Sequence, residues 1–309
     1  MTKVIEVVPY NPKWTEMFDT QAQLIKQALG KNCIAIHHIG STAVPGLAAK
    51  PIIDIIPVVH DIVAVDTATK NMEKLGFVAK GEYGMLFRRY FQKEEFNIHV
   101  FEDGNPVIER HLKFRDWMRT HPEDRDAYAK LKEDLALQYP NDILSYCFAK
   151  DAFVASIDAK TGFNGLHIVK ALTPREWESV RNFRQKYFFD KVPISDPYTW
   201  TFDHQDHLHF VLYQGAKIIG YAHIQLWPES RAALRIIVID ESLRNRGAGG
   251  EFLNRCERWL KQQGVRVLHT QSSPAAHPFY LKYSYTKMPF NDPDGHEGYP
   301  QDIDMGKML

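Results

Sequence analysis

The chain has 309 residues, 38 of them basic and 38 acidic, so its formal net charge is zero. With 44% hydrophobic and 25% charged residues it reads as a globular chain of about two domains, and the even charge balance excludes the basic excess of a nucleic-acid binder. No apolar run approaches the ~20 residues that span a bilayer, residues 1–7 lack a signal-peptide core, and Cys33, Cys147 and Cys256 have no metal-binding spacing; a cytoplasmic protein without a structural metal or a membrane partner is expected.

Residues 4–8 alternate as a short strand would. Pro12 and Trp14 open a helix whose apolar positions Phe18, Ala22, Ile25 and Leu29 recur at helical spacing, and Gly30 closes it. A strand over 34–36 leads into a Gly40-Ser41 turn, and a second strand carries Asp54 inside an apolar run. A carboxylate there is costly unless it is paired or stands at a strand end. It is either a metal or substrate ligand, or an ion pair with Lys50 or Arg88. Beyond residue 105 the pattern turns helical, first over 107–118. Pro122 suits the first position of the next helix, with Tyr128, Leu131 and Leu135 on one face. Asn141-Asp142 starts a last helix through Tyr146, Ala149 and Phe153.

Several stretches of this half resemble the GrpB family, over roughly residues 4–158. They are Tyr10-Asn-Pro-Lys-Trp14, His38-Ile-Gly-Ser-Thr-Ala-Val-Pro-Gly46, Lys50-Pro-Ile-Ile-Asp54, Arg88-Arg89, Ile98-His-Val-Phe101, Arg110-His-Leu-Lys-Phe-Arg-Asp-Trp-Met-Arg-Thr-His-Pro122 and Tyr139-Pro-Asn-Asp142. The resemblance implies a nucleotidyltransferase-like fold, a mixed sheet with helices. Active nucleotidyltransferases usually add a second carboxylate two residues after the first and a third on a later strand, so that two metals clamp the reaction. Here Ile56 and His99 take those places, and Asp54 alone cannot hold two magnesium ions. Ordinary nucleotidyl transfer is therefore not expected. Gly40, Ser41, Lys50, Asp54, Arg88 and Arg89 remain a candidate site for a phosphate, nucleotide or other anion; the competing reading is an inert scaffold.

Residues 159–165 are polar and glycine-bearing, the best linker between a domain at 1–158 and another at 166–309. The pattern restarts with a strand over 166–171. Thr173-Pro-Arg-Glu176 has the form of a capping box with proline at the first helical position, and its helix runs to about Tyr187. After an aromatic, proline-bearing stretch come three strands, over 207–213, 217–226 and 232–239. Then follow Arg244-Asn-Arg-Gly-Ala-Gly-Gly250, an amphipathic helix, a strand over 265–271, a short helix over 274–283 and a final strand over 303–308.

A strand, a glycine-rich turn and a helix start make an anion site: backbone N–H groups and the positive end of the helix dipole point at one spot. Three strands in succession before the turn do not fit a Rossmann domain, and Gly249-Gly250-Glu251 lacks the Lys-Ser/Thr of a P-loop. The element order, the Arg244-x-x-Gly247-x-Gly249 turn and Ala276-His-Pro-Phe-Tyr-Leu-Lys282 resemble the GNAT acetyltransferase superfamily, over roughly 166–309, with a central mixed sheet. The whole chain is then a two-domain α+β or α/β protein.

The resemblance implies acetyl-CoA as cofactor. Arg244, Asn245, Arg246, Gly247, Ala248, Gly249 and Gly250 would hold its pyrophosphate, and Ile237, Val238 and Ile239 would offer a backbone edge to its pantetheine arm. Ser273, Ala276 and Phe279 would pack nearby, and Tyr280 would sit near the sulfur. Ser273 stands where many members have asparagine, and Ser284 where most have glycine. The implied reaction is N-acetylation of an amine by direct transfer, with Tyr280 protonating the departing thiolate. Glu229 is the first choice of general base, with His223 and His269 as rivals. The carboxylates Asp203, Asp206, Asp292, Asp294 and Glu297 would suit a cationic amine acceptor. His204, His207 and His209 alternate along a strand, which favours strand polarity over metal binding. The alternative reading makes the first half a nucleotide- or phosphate-handling enzyme with the second half as a CoA-binding accessory.

Overall fold

The computed structural model describes residues 4–190, 195–295 and 298–309. The chain divides into two compact units, Met1–His167 with Gln214–Ala216, and Ile168–Tyr213 with Lys217–Leu309.

The first unit runs α1 (Lys13–Leu29), β1 (Cys33–Ile39), β2 (Ile53–Val59), α2 (Val65–Lys74), β3 (Val78–Ala79), β4 (Arg88–Lys93), β5 (Phe96–Glu102), α3 (Pro106–Thr120), α4 (Pro122–Gln138), α5 (Ile143–Phe148) and α6 (Asp151–Lys160). Its sheet has the order β1-β2-β5-β4-β3. The β2–β5 pair is parallel and the other neighbours are antiparallel. Strand β2 is apolar almost throughout because both its faces are covered. Ile53, Ile55 and Val59 join Trp14, Ile25 and Met72 in one cluster, whereas Ile56 and Val58 pack with Val107 of α3 in another. Asp54 shares the second face by strand alternation.

Two expectations fail in this unit. Residues 4–8 form no strand: Val8 makes a single bridge to Ala49, and Ile5 is held by packing on Leu135, Ala136 and Tyr146 and by its N–H to the Pro140 carbonyl, 2.8 Å. The helix expected from Asn141 through Phe153 is two helices. Asp142 caps α5 through the Ser145 N–H, and Lys150 stands as the N-cap residue of α6.

The second unit carries β6 (Leu166–Lys170), α7 (Pro174–Arg184), β7 (His207–Gln214), β8 (Lys217–Trp227), β9 (Arg231–Ile239), α8 (Ala248–Gln262), β10 (Val267–Ser272), α9 (His277–Lys282), β11 (Thr286–Lys287) and β12 (Ile303–Met308). The sheet order is β11-β12-β10-β9-β8-β7-β6. Thr173 and Glu176 complete a reciprocal capping box. Helix α8 buries Phe252, Leu253, Cys256, Trp259 and Leu260, the stripe expected of an amphipathic helix on a sheet. Strands β9 and β10 are parallel and pair over only three residues, ending at His269↔Ala233. The next link is the Thr270 hydroxyl, which donates to the Leu234 carbonyl at 3.0 Å. Strand β9 also bulges against β8 between His223 and Ile224. The sheet therefore opens along the second half of β9. Among the described residues no helix is long and apolar enough to cross a membrane.

Candidate functional site

A cleft of about 750 Å³ lies where β9 and β10 part. Ile237, Val238 and Ile239 line one side, Arg244, Asn245, Gly247, Gly249 and Gly250 the end, and Ser273, Ala276, Phe279 and Tyr280 the other side. The structure thus gathers most of the predicted cofactor residues around one space. Arg246 and Ala248 belong to the same turn but do not line the cleft, whereas Ala275, Pro278, Lys282 and Tyr283, none of them predicted as ligands, do.

Gly247 has φ +88° and open space where a Cβ would stand, a conformation that costs glycine little. The first helical hydrogen bond of the α8 end is Glu251 N–H to Gly247 O, 3.1 Å. The amides of Ala248, Gly249 and Gly250 precede it, as at any helix start. Arg244 braces the turn: its Nε donates to the Ile239 carbonyl at 3.0 Å, and its guanidinium lies 4.9 Å from the Tyr187 ring. Gly250 has a different purpose, since a Cβ there would stand 1.6 Å from the Tyr283 hydroxyl. Its hydrogen lets α8 and α9 close on each other. Ser284 takes φ 66°, the left-handed backbone that a glycine adopts freely.

Tyr280 is 7% exposed. Burial raises its phenol above the ordinary value, partly offset by its hydrogen-bonding contact with the Thr270 side chain. That hydroxyl marks the fork of β9 and β10, so Tyr280 lines the cleft beside the fork, and it is protonated at neutral pH.

Glu229 is not part of this site. It occupies the β8–β9 turn with φ 60° and a side chain 83% exposed. It is not among the residues that line the cleft, and it precedes the fork at Leu234 by five residues, about 16 Å of extended chain. The rival histidines do not line the cleft either. His223 stands across from Ile236, and its Nε2 is 2.8 Å from His207 Nδ1. His209 Nδ1 is 2.8 Å from the Tyr221 hydroxyl, which accepts from Arg184 at 3.1 Å. Burial lowers His207 and His209 to about 4 and His223 well below the ordinary imidazole value. All three are neutral at physiological pH, with ring nitrogens given to one another, to Tyr221 and to the Thr201 carbonyl. His269 instead packs between Trp227 and Phe290.

The acidic loop residues divide. Asp292 is paired with Arg235 and has a side chain only 3% exposed. Asp294 accepts from Gln225 at 2.6 Å. Asp203 and Asp206 lie ahead of β7, and Glu297 lies outside the described residues. Arg235 and Gln225, which no sequence motif marked, organise this cluster: Arg235 Nε donates to Gln225 Oε1 at 2.9 Å.

In the first unit, Gly40, Ser41, Lys50 and Asp54 border a separate cavity of about 290 Å³. Arg88 and Arg89 do not. Arg88 donates to the carbonyls of Tyr83 and Glu82, at 2.7 and 3.2 Å, and Arg89 forms a two-pronged pair with Asp66 at 2.6 and 2.8 Å. Asp54 is paired with neither Lys50 nor Arg88. It accepts from Asn97 Nδ2 at 3.0 Å and lies 3.6 Å from His99 Nε2. Burial alone would raise its carboxyl, but His99 and Asn97 outweigh that and hold it low. A Cβ at Gly40 would meet Asp54 Oδ2 at 2.7 Å, so the turn's glycine makes room for that carboxylate. The partners of Asp54 on β5 are an amide and an imidazole, a poor set for magnesium, which takes oxygen ligands. Lys132 and Lys150, also unmarked by any motif, complete the wall.

Two family models match the chain: GrpB protein over residues 4–160, and acetyltransferase (GNAT) family over residues 177–285. UPF0157 protein YqkA of Bacillus subtilis is 45% identical over 158 residues, half of this chain and 46% of that protein. The chain thus spans less than half the length of that curated relative. A crystal structure of GrpB from Enterococcus faecalis is 40% identical, covering 50% of this chain and 96% of that one with a TM-score of 0.49. An acetyltransferase of the GNAT family from Staphylococcus aureus is 16% identical, covering 47% and 99% with a TM-score of 0.39.

Proposed function

The chain belongs to the GrpB family over residues 4–160 and carries a GNAT acetyltransferase domain matched over 177–285, and from that premise we propose that the second domain transfers an acetyl group from acetyl-CoA to an amine. The observation that carries the reading is the cleft. It is lined by the leading turn of α8 behind a left-handed glycine and by a buried, protonated tyrosine.

When bound, acetyl-CoA supplies an activated acyl group and a thiolate leaving group. The amides of Ala248, Gly249 and Gly250 with the helix dipole suit its pyrophosphate. Along Ile237–Ile239 the edge of β9 lacks β10 as a partner, so its backbone groups suit the amides of the pantetheine arm. Tyr280 holds a proton for the departing sulfur. The amine reacts as a free base in a ternary complex, and its surplus proton leaves to solvent, because burial keeps His207 and His223 neutral and makes them poor proton acceptors. Arg235 uses the charge of Asp292, so Asp294, Asp203 and Asp206 are the carboxylates left to attract a cationic acceptor. The GrpB-like domain extends through α6 to Lys160, a little beyond the expected boundary at 158, and the acetyltransferase follows the short stretch after it. Nucleotidyl transfer by the first domain has less support, since Asp54 faces Asn97 and His99 rather than carboxylates.

Titration calorimetry with acetyl-CoA tests the cofactor assignment. Gly247→Glu places a carboxylate at the anion turn, on a backbone of φ +88°, and should weaken binding at least ~10-fold, about 1.4 kcal/mol. Unchanged affinity in a folded variant would refute the assignment.

A further inference from the structure

The cavity of the first unit presents more positive charge than its own residues neutralise. Lys50, Lys132 and Lys150 all border its ~290 Å³, and none has a carboxylate within ion-pair distance among the described residues. Lys132 is 3% exposed. Its Nζ donates to Ser41 Oγ at 2.9 Å and to the Ala48 carbonyl, which leaves one of three ammonium protons uncommitted. The Nζ atoms of Lys150 and Lys50 lie 4.4 and 5.2 Å from the centre of the same Tyr146 ring. Arg110, also on the wall, is cancelled by Asp158 at 2.8 Å. Once Lys132 is protonated, Asp54 supplies one negative charge against three ammonium groups, a surplus of two in a space walled by Phe114, Tyr128 and Tyr146.

We propose that this cavity binds a small phosphomonoester, its phosphate held by Lys50, Lys132 and Lys150 and its organic body by the aromatic wall. The proposal does not rest on acetyl transfer in the second domain. A phosphomonoester carries close to two negative charges at neutral pH, which matches the surplus. The Lys50 and Lys150 ammonium groups both lie within 5.2 Å of the Tyr146 ring centre, a cluster of cations that suits a ligand carrying its charge on several oxygens of one phosphorus. The volume is at the lower end for a ligand pocket and excludes a large nucleotide. Burial lowers Lys132 to about 7, so a dianion arriving beside it draws a proton onto the amine.

The test is calorimetry on the full chain carrying Gly247→Glu, which blocks the other phosphate-accepting turn, with phenyl phosphate, inorganic phosphate and succinate as probes. Phenyl phosphate should bind at least tenfold more tightly than succinate, inorganic phosphate should compete with it, and binding should take up protons when measured in two buffers of different ionisation enthalpy. Lys150→Gln, at a half-buried position outside any ion pair among the described residues, should weaken phenyl phosphate at least tenfold with unchanged circular dichroism. Lys132→Met should do the same if it folds. Absence of phenyl phosphate binding, equal binding of succinate, or an unchanged affinity in folded Lys150→Gln would overturn the proposal. Each leaves the acetyl-CoA measurement on the unmodified chain unaffected.

Discussion

Burial raises the Tyr280 phenol, and Thr270 offsets only part of the shift. The sign matters for its role. A group whose value is raised above ~10 is protonated throughout the neutral range, so Tyr280 can give a proton and cannot take one. Turnover should therefore be insensitive to this residue's ionisation at neutral pH and fall as pH rises through the raised value. Tyr280→Phe should lower kcat by roughly 100-fold, leave the Kd for acetyl-CoA unchanged, and abolish that alkaline fall. Steady-state rates across pH, paired with direct binding, separate the cases: an equal loss in kcat and affinity would make Tyr280 a packing residue. Gly250 shows how a motif residue can have a purpose the motif does not name. The sequence marks it as part of a phosphate turn, yet its lack of a Cβ is needed against Tyr283.

Helix α7 shows what local sequence carries and what it does not. Its start is legible, because Thr173, Pro174 and Glu176 encode the cap within four residues. So are the Arg244–Gly250 turn, the stripe of α8 and the strand order around them, each set by neighbours in sequence. Arg184 is not legible. It ends a helix with other basic residues and reads as solvated, yet it is 1% exposed. Its partners are Asp196 at 2.9 Å, in an irregular stretch, and Tyr221 on β8; no periodicity foretells contacts of that kind. Arg88, Arg89 and Lys132 follow the same rule, and for that reason the predicted anion site mixed true wall residues with arginines engaged elsewhere. Burial would raise the Asp196 carboxyl, but Arg184 and the Tyr198 N–H outweigh it and the net shift is downward. The pair then adds stability above the unfolded carboxylate value of ~3.9 and loses it as pH falls through the lower folded value. Arg184→Met leaves Asp196 and Tyr221 without their donor and should cost about 3 kcal/mol in denaturant unfolding at pH 7, with the deficit shrinking toward pH 3. A constant deficit across that range would mean that lost packing, rather than charge, dominates.

At the scale of the whole molecule the chain forms two units and two sheets, and the candidate sites lie one in each unit. Ligand linkage turns that arrangement into a measurement. A ligand that binds only one unit stabilises only that unit, by ~2.7 kcal/mol at a hundred times its Kd. For units of this size that is a shift of roughly 6–12 °C in the corresponding transition. Scanning calorimetry of the full chain should therefore resolve two transitions, with acetyl-CoA raising one and phenyl phosphate the other. Lys150→Gln should cancel the second shift and spare the first, and Gly247→Glu should do the reverse. If both ligands raise the same transition, or a single transition moves as one, the units fold as one cooperative body. Coupling between the sites is a separate quantity, read from whether acetyl-CoA changes the affinity for phenyl phosphate, by the same factor as the converse.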